Sequence, residues 1–440
     1  MSVFRLTMAG RDGDTRTLLY HPHASELRWA DDGQPVVGGT ERIWPTAIRV
    51  NGATQPGRKS AAIRHLKIQL GLKCNYACSY CLQRFQPEHD EGGAADVLRF
   101  LERLPRHFDG GSDGQGQGVR IEFWGGEPFL YFKGRLRLLG LALKSAYPNA
   151  RFAIVTNGSV LSAEILDWID AMGCSIALSH DGPGQTQRGP DPLDDPEKRA
   201  WILALHDRLA PRGLFSFNVT LTADNHDLSA IHAWFSGRLD GRVPPLNIEG
   251  MALPYTEEGF AATIIEPEAQ RAAMTSVMKA VVTGPGLSFH SVRRKVDDFI
   301  GSLRTRRPSS ALGQKCGMDR SDSLAVTLTG DVLTCQNVSP EATAPNGQPH
   351  RLGSLDALDA ARLTSATHWS HRRECVQCPV LQLCQGSCMF LQDRAWAAAC
   401  ESEFTYNMGI FMAALYLLTG KVPVAIDGPI LRPEHAHAAA

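Results

Sequence analysis

The stretch that decides the fold is KCNYACSYCLQ (residues 73–83), in which Cys74, Cys78 and Cys81 have the spacing C-x3-C-x2-C. Three thiolates on one short loop suit a soft metal centre. An iron–sulfur cubane needs four ligands, so a three-cysteine loop leaves one iron open to a group that is not protein. A zinc knuckle and a disulfide pair are the alternatives. Zinc usually takes four protein ligands, and a disulfide would leave one of the cysteines unpaired.

The cysteine loop follows a predicted strand. Residues His65 to Leu70 alternate between apolar and polar side chains, which is the period of a strand. Sheets of the α/β class bind ligands beyond the carboxyl ends of their strands. We therefore expect the loop to lie at the ligand-binding edge of an α/β sheet.

Length and composition bound the class of protein. The chain has 440 residues, enough for two or three domains, and a formal net charge of −1. This charge gives no signal for nucleic acid, and no apolar run has the length of about twenty residues that a membrane-spanning helix needs. The first residues show no secretory signal. The 11 cysteines therefore favour metal or redox chemistry in a reducing cytoplasm over structural disulfides.

Strands and helices alternate from Ala61 onward, the pattern of a parallel sheet with crossover helices. Strands are predicted near Leu66, Ile121, Ile154, Ile176, Val219 and Ile248. Helices are predicted over Ala95–Arg106, Leu161–Met172, Ser229–Leu239, Pro267–Val282 and Val292–Leu303. The glycine-rich residues Gly110–Gly118 predict a loop between the first of these helices and the second strand.

Three of the predicted strands end in segments that could bind a ligand. These segments are Gly125-Gly126-Glu127-Pro128, Thr156-Asn157-Gly158, and Ser179-His180-Asp181-Gly182-Pro183 followed by Arg188. Glycines allow the backbone to approach a ligand closely. In isolation each segment is an ordinary turn sequence. Because the first one follows a strand and lies one helix beyond the cysteine loop, it supports a ligand site there.

A second cysteine array occupies the last third of the chain. Its members are Cys316, Cys335, Cys375, Cys378, Cys384, Cys388 and Cys400. So many cysteines within about 85 residues need more than one metal site, which disfavours a single zinc ribbon. The remaining cysteine, Cys174, lies beside a predicted strand and is interpreted as a small buried hydrophobic residue.

These motifs, over about Leu66 to Asn407, resemble radical S-adenosylmethionine (radical SAM) enzymes of the peptide- and protein-maturing branch, and the second array resembles their SPASM domain. The resemblance implies an α/β fold with a partial (β/α)6 barrel, in which the open iron of the loop cluster binds SAM. It implies that SAM lies against Tyr80, Gly125, Gly126, Glu127, Pro128, Thr156, Asn157, Ser179, Asp181 and Arg188.

The resemblance also implies two auxiliary [4Fe–4S] clusters, which with the loop cluster would make three. Cys316, Cys335 and Cys388 would hold the first auxiliary cluster, nearer the active site. The second would be held by Cys375, Cys378, Cys384 and Cys400. Some family members have an eighth cysteine shortly after the first, and this chain has none between Cys316 and Cys335. Asp322 could take that place, or the iron could stay open to the substrate.

Four domains are expected from these patterns: an N-terminal β-rich segment (1–60), the barrel (61–304), the SPASM domain (305–410), and a C-terminal helix and tail (411–440). The N-terminal segment reads as a small β-meander that caps the barrel, although it could dock a peptide by strand addition. It shows no convincing winged-helix leader-recognition domain. An apolar helix is predicted over Ile410–Leu418, and the proline-containing, His/Ala-rich tail is expected to be disordered.

By resemblance, the expected function is maturation of a ribosomally synthesised precursor peptide. A 5′-deoxyadenosyl radical would abstract a side-chain hydrogen, and the substrate radical would close a C–C or thioether cross-link. A flavodoxin or ferredoxin would supply electrons, and no nucleic acid or membrane partner is expected. The weak candidates for a catalytic base are Glu249, Tyr255, His290 and Asp319.

Two alternatives stay open. One is a sulfatase-maturing type of enzyme that oxidises Cys or Ser to formylglycine. That subset has an aspartate base directly after the cysteine that matches Cys335, where this chain has Gln336, and an amide cannot accept a proton at neutral pH. The other alternative is a non-catalytic iron–sulfur protein that transfers electrons.

Overall fold

The computed structural model describes residues 2–40, 42–60, 62–104 and 118–433. The predicted glycine-rich loop, apart from Gly118, and the last two residues of the first predicted helix lie outside the described residues. The strands are β1 (Phe4–Ala9), β2 (Thr15–His21), β3 (Glu26–Trp29), β4 (Gly57–Arg58), β5 (His65–Gln69), β6 (Arg120–Trp124), β7 (Arg151–Thr156), β8 (Ser175–Ser179), β9 (Phe215–Leu221), β10 (Leu246–Met251), β11 (Ser323–Thr327), β12 (Asp331–Leu333), β13 (Arg351–Ser354), β14 (Arg362–Leu363) and β15 (Val422–Asp427).

The helices alternate with the central strands and continue to the C-terminal part of the chain. They are α1 (Ala94–Arg103), α2 (Arg137–Ala146), α3 (Ala163–Met172), α4 (Pro196–Leu209), α5 (Leu228–Arg238), α6 (Glu257–Ala261), α7 (Pro267–Thr283), α8 (His290–Thr305), α9 (Arg373–Val376), α10 (Leu381–Cys384) and α11 (Asp393–Thr419). Helices α2 and α4 were not predicted. For α4 the sequence carries a start signal, because Asp195 caps the backbone N–H groups of Glu197 and Lys198, and Pro196 occupies the first turn.

The main sheet has nine strands in the order β10-β9-β8-β7-β6-β5-β11-β12-β13. Strands β5 to β10 are the six predicted ones, and all of them run parallel. Strand β11 continues this sheet in parallel beside β5, with Ser323 opposite His65 and Thr327 opposite Gln69. Strands β12 and β13 then pair antiparallel. The sheet is therefore mostly parallel, and its continuation crosses the expected boundary at residue 304.

Alternation along the strands separates the core from the inner face of the sheet. On β9, Phe217 packs against Phe235 of α5 with the ring centroids 4.8 Å apart, while Thr220 faces a cavity. Trp168 of α3 contacts Phe132 edge-on at 5.6 Å. Each such buried aromatic side chain contributes roughly 1.5–3 kcal/mol to folding. The apolar face thus fixes the sheet against the helices and leaves its polar face free to line a site.

The N-terminal meander is confirmed as three antiparallel strands, but a fourth strand joins it. The sheet order is β15-β1-β2-β3, and Ile426 of β15 lies opposite Leu6 of β1. The expectation of a disordered tail is therefore wrong for residues 422–427. Val422, Val424 and Ile426 alternate along this segment, which is a strand signal that the prediction of a disordered tail missed.

The C-terminal helix is much longer than predicted, since α11 begins at Asp393 and the expected boundary at residue 410 falls inside it. Its first half contains Ala397, Ala398 and Ala399, which favour helix and are buried. Although α11 has 27 residues, no helix among the described residues combines the length and hydrophobicity needed to cross a membrane.

Candidate active site

A cavity of about 980 Å³ opens at the carboxyl ends of the parallel strands. The three cysteines of the loop after β5 line it, and so do residues at the ends of β6, β7, β8, β9 and β10. Cys316, Cys335 and Cys388 line the same cavity. The structure therefore brings the predicted SAM-binding loop and the predicted first auxiliary set to one space.

The backbone of the cysteine loop is held from both sides. The N–H of Leu72 donates to Oε1 of Glu91 at 2.8 Å, and the N–H of Lys73 donates to the Tyr131 hydroxyl at 2.8 Å. The N–H of Glu127 donates to the Lys73 carbonyl at 3.0 Å. A Cβ on Gly126 would overlap the carbonyl oxygens of Lys73 and Leu72. Gly126 is thus required for close packing against the cysteine loop itself, in addition to lining the cavity.

Glu127 lies behind the cavity wall, where it joins the ends of two strands. Its carboxylate accepts hydrogen bonds from Thr156 Oγ1 and the Asn157 N–H, both at 2.7 Å, and from the Phe129 N–H at 3.1 Å. Burial raises the pKa of Glu127 to about 7. Neither Glu127 nor Pro128 lines the cavity, and the contact of these two residues with the cofactor stays a prediction.

Asp181 and Arg188 form a buried pair beside the loop, with Nε of Arg188 3.0 Å from Oδ2 of Asp181. Asp181 also accepts hydrogen bonds from the Tyr80 hydroxyl and from the Thr220 N–H at 2.8 Å. Arg188 donates to Thr220 Oγ1 at 3.1 Å. Arg188, Tyr80 and Ser179 line the cavity, whereas Asp181 lies behind them. The Nε of Arg188 thus pairs with Asp181 by charge, without forming a hydrogen bond to it.

Asn157 connects the end of β7 to the cysteine loop. Its Nδ2 donates to Asn75 Oδ1 at 3.0 Å and lies 3.9 Å from the Cys74 sulfur. Asn75 in turn donates to Ser159 Oγ at 2.7 Å. The sequence identified Asn157 but missed Asn75 and Ser159, although Asn75 lies inside the quoted loop.

Comparison with known proteins identifies the domain that contains the cysteine loop. Residues 68–227 match the model of the radical SAM superfamily. The chain carries a radical SAM domain. The radical SAM cyclopropyl synthase TigE of Paramaledivibacter caminithermalis is 21% identical over 174 residues, which are 38% of this chain and 37% of TigE. The match thus spans little more than a third of that relative's length.

A solved structure similar in fold covers more of the chain. Native anSMEcpe with bound AdoMet and Cp18Cys peptide aligns with a TM-score of 0.53 and 16% identity, over 81% of this chain and 99% of anSMEcpe. At that identity the likeness concerns the fold. The covered share of this chain is larger than the matched residues 68–227.

The first auxiliary set faces the cavity of the radical SAM domain. The pKa of Cys388 is raised to about 12, chiefly by burial; a hydrogen bond from Tyr255 opposes the rise, and the nearby Cys316 and Cys335 add to it. Burial likewise raises the pKa of Cys335 to about 11. Thiols so hard to ionise in isolation need compensating positive charge, which iron ions provide when they bind thiolates.

The second predicted set lies outside the cavity, in the protein interior behind it. Burial raises the pKa of Cys375 well above its ordinary value, and the thiolates of Cys400, Cys384 and Cys378 add to that rise. Within 2–40, 42–60, 62–104 and 118–433, no three His, Cys, Asp or Glu side chains converge closely enough to hold a single metal ion. The prediction of an iron–sulfur cluster at the second set therefore depends on the chemistry of its potential ligands, which are all cysteine thiols.

Asp322 pairs with a neighbouring arginine. Both of its oxygens accept hydrogen bonds from Arg320, at 2.8 and 2.7 Å, and it does not line the cavity. Whether Asp322 or an open iron completes the first cluster stays a prediction with two alternatives. The structure leaves Cys316, Cys335 and Cys388 as a three-thiol set at the cavity.

The structure separates the four candidate bases into two pairs. His290 is exposed at the start of α8, and Asp319 is buried outside the cavity, where it accepts a hydrogen bond from the Gln314 N–H at 3.1 Å. Glu249 and Tyr255 line the cavity. Desolvation raises the pKa of Glu249, and the nearby Arg188 opposes that rise. Only Glu249 and Tyr255 among these candidates are placed to meet a substrate.

The sequence analysis missed a buried lysine between the two parts of the site. Nζ of Lys67, on β5, donates to Oε1 of Gln336 at 3.2 Å, and Gln69 on the same strand donates to the Gln336 carbonyl at 2.7 Å. The positive charge of Lys67 opposes the rise in pKa of Cys335. A lysine within a buried strand was the available signal, because such a charge is rare without a partner.

Proposed function

We propose that this protein is a radical SAM peptide maturase that forms an intramolecular C–C or thioether cross-link in a ribosomally synthesised precursor peptide. The observation that carries the proposal is the shared cavity. Loop thiols for a SAM-binding cluster and the three-thiol set of Cys316, Cys335 and Cys388 line one space of about 980 Å³. That volume is at the upper end of small-ligand sites, and the cavity is open to solvent along residues 84–90.

The proposal includes three [4Fe–4S] clusters, because ten of the cysteines form three sets. These are the loop cysteines, the first auxiliary set and the second auxiliary set. Cys74, Cys78 and Cys81 would hold the cluster that binds SAM and supplies the electron for its reductive cleavage, and an auxiliary cluster would take up one electron when the cross-link closes. The substrate then loses two hydrogens, one as an atom that ends in 5′-deoxyadenosine and one as a proton. Atoms and charges balance with no further oxidant.

The chain's own residues divide the remaining work. Asn157 orients the cysteine loop, and Arg188 with Tyr80 forms the cavity wall beside it. Glu249 is the cavity carboxylate placed to accept the proton, because the Tyr255 hydroxyl is bonded to Cys388. A raised pKa brings a carboxylate closer to neutral pH, which suits a base. With Asp322 engaged elsewhere, the fourth position of the first auxiliary cluster stays open to the substrate.

We also propose the fold and the binding partners that this activity requires. Strands β5–β10 with their helices would form a partial (β/α)6 barrel, and residues 305–410 a SPASM domain that binds the auxiliary clusters. The precursor peptide would enter the cavity, and a flavodoxin or ferredoxin would supply electrons. The anSMEcpe structure with bound AdoMet and peptide supports a fold that holds both at once.

The test uses the full chain with reconstituted clusters, SAM, a reductant and a short peptide encoded beside its gene. We expect 5′-deoxyadenosine and a peptide that has lost two hydrogens with an intact backbone, shown by tandem mass spectrometry. The Cys78→Ala variant should form neither. A peptide aldehyde that reacts with a hydrazide would instead identify formylglycine formation. Reduced clusters that never cleave SAM would identify an electron-transfer protein.

A further inference from the structure

One arginine lies between the two auxiliary cysteine sets. Arg372 immediately precedes α9, which carries Cys375. Its Nη2 donates to the carbonyls of Met389 at 3.2 Å and Leu391 at 2.7 Å, just after Cys388. Arg372 therefore ties a segment of the second set to a segment of the first.

The same guanidinium also reaches α11. Its Cζ lies 4.2 Å from the centroid of the Trp396 ring, one helical turn before Cys400. Stacking on an indole face and bridging two carbonyls both use the planar fork of an arginine, which a lysine cannot reproduce. The three segments that carry Cys375, Cys388 and Cys400 thus meet at one side chain.

Two other cations act on one set each, whereas Lys315 acts on Cys384 of the second set and Cys316 of the first. Lys67 lies beside Cys316 and Cys335 of the first set. Lys295 lies beside Cys384 of the second set, and its Nζ donates to the Leu383 carbonyl at 2.6 Å and to Asn407 Oδ1 at 2.9 Å. By contrast, the thiolates of Cys375, Cys388 and Cys400 all act on Arg372.

We propose that Arg372 is a positioning residue that holds the two auxiliary clusters in a fixed relation and stabilises the reduced form of both with its charge. The inference rests on the proposed function, because it requires both auxiliary clusters. A permanent positive charge favours the more negative, reduced state of a nearby cluster, and outer-shell charge and hydrogen bonds set cluster potentials. Electron transfer between the two clusters would then depend on Arg372.

The experiment measures the midpoint potentials of both auxiliary clusters by EPR-monitored redox titration of the reconstituted full chain. The loop cluster is removed by substituting Cys74, Cys78 and Cys81 with alanine, and the second cluster's signal is assigned by a further Cys375→Ala change. Arg372→Gln should lower both potentials, each making reduction about tenfold less favourable, or about 59 mV for a one-electron couple. Lys67→Gln should lower only the first potential, and Lys295→Gln only the second.

Arg372→Lys separates charge from position. It should keep both potentials near those of the parent, while the magnetic coupling between the two reduced clusters changes because the ammonium cannot bridge and stack together. The inference is overturned if Arg372→Gln shifts one potential or neither, or if Arg372→Lys leaves the coupling unchanged. Iron and sulfide content below two clusters in the parent would overturn the proposed function itself, which is a different result. Should Arg372→Gln lose iron, the coupling measured in Arg372→Lys decides.

Discussion

The Cα of Gly126 faces the carbonyl oxygen of Lys73 so closely that a methyl group placed there would overlap it. This contact joins the end of β6 to the residue before the first cysteine of the radical SAM domain. The peptide group of the next residue reinforces it, because the N–H of Glu127 donates to the same carbonyl at 3.0 Å. Backbone packing thus helps to fix the position of the cysteine loop.

Replacing Gly126 by alanine should displace the cysteine loop, because the overlapping atoms belong to backbone and cannot rotate away. We expect loss of the iron of one cluster and of SAM cleavage, with the auxiliary clusters retained. Iron analysis and the 5′-deoxyadenosine assay measure this. The matched control is Gly134→Ala, since a Cβ there meets nothing within 4 Å. Equal iron content in the two variants would contradict the packing role.

The raised pKa of Glu127 predicts a pH dependence of stability. The pKa of Glu127 is about 7 in the folded chain, above the ordinary value of 4.5. Between these two pH values the folded state keeps a proton that the unfolded state has lost. Stability should therefore fall as pH rises from about 4.5 to about 7 and level off above that range. Tm measured across this window should drop in the parent chain and drop less in Glu127→Gln. Parallel slopes would refute the assignment to Glu127.

Glu249→Gln should separate radical formation from product formation. The substitution keeps the shape of the side chain but removes the proton acceptor. We expect product formation to fall about 10²–10⁴-fold while SAM cleavage in the presence of peptide continues. Glu88, an exposed carboxylate on the same cavity, supplies the control, since Glu88→Gln should leave the product yield near that of the parent. An undiminished yield in Glu249→Gln would remove Glu249 from the mechanism.

Cys174 should be dispensable for metal binding. It is fully buried in the hydrophobic core just before β8, and burial raises its pKa to about 12, as expected of an inert thiol. Cys174→Ala should keep all the iron and all SAM cleavage, at a cost of about 1 kcal/mol in stability for the small void. Cys78→Ala, by comparison, should lose one cluster. Iron loss in Cys174→Ala would show that the thiol is a ligand.

Most of the predictions rest on hydrophobic periodicity and cysteine spacing, because both can be read from short segments of the chain. The strands around Leu66 and Ile248 appear as predicted, and Cys316, Cys335 and Cys388 line one cavity although 72 positions separate the first from the last. Side-chain partners were predicted less well. Glu127 turns away from the cavity because its partners, Thr156 and Asn157, arrive from the next strand.

The other differences between the predictions and the structure also concern side-chain partners. Asp322 pairs with Arg320, a local contact that the sequence could have indicated. Arg372 could not have been found in this way, because its partners are backbone carbonyls and the indole of Trp396, which only the tertiary fold assembles. Sequence patterns therefore identified the cysteines that line the cavity. The charges and hydrogen bonds around those cysteines could not be predicted, because they depend on the tertiary fold.

The pairing of β15 with β1 bears on how the protein is made. More than 400 residues lie between Phe4–Ala9 and its neighbour Val422–Asp427 and must be synthesised before the two strands can pair. Until β15 is made, one edge of the N-terminal meander is unpaired, and unpaired edges favour pairing with other chains. The same pairing brings the segment with Arg432 to its contact with Glu401, beside Cys400. We therefore expect assembly of the second cysteine set and pairing of β15 with β1 to be completed together.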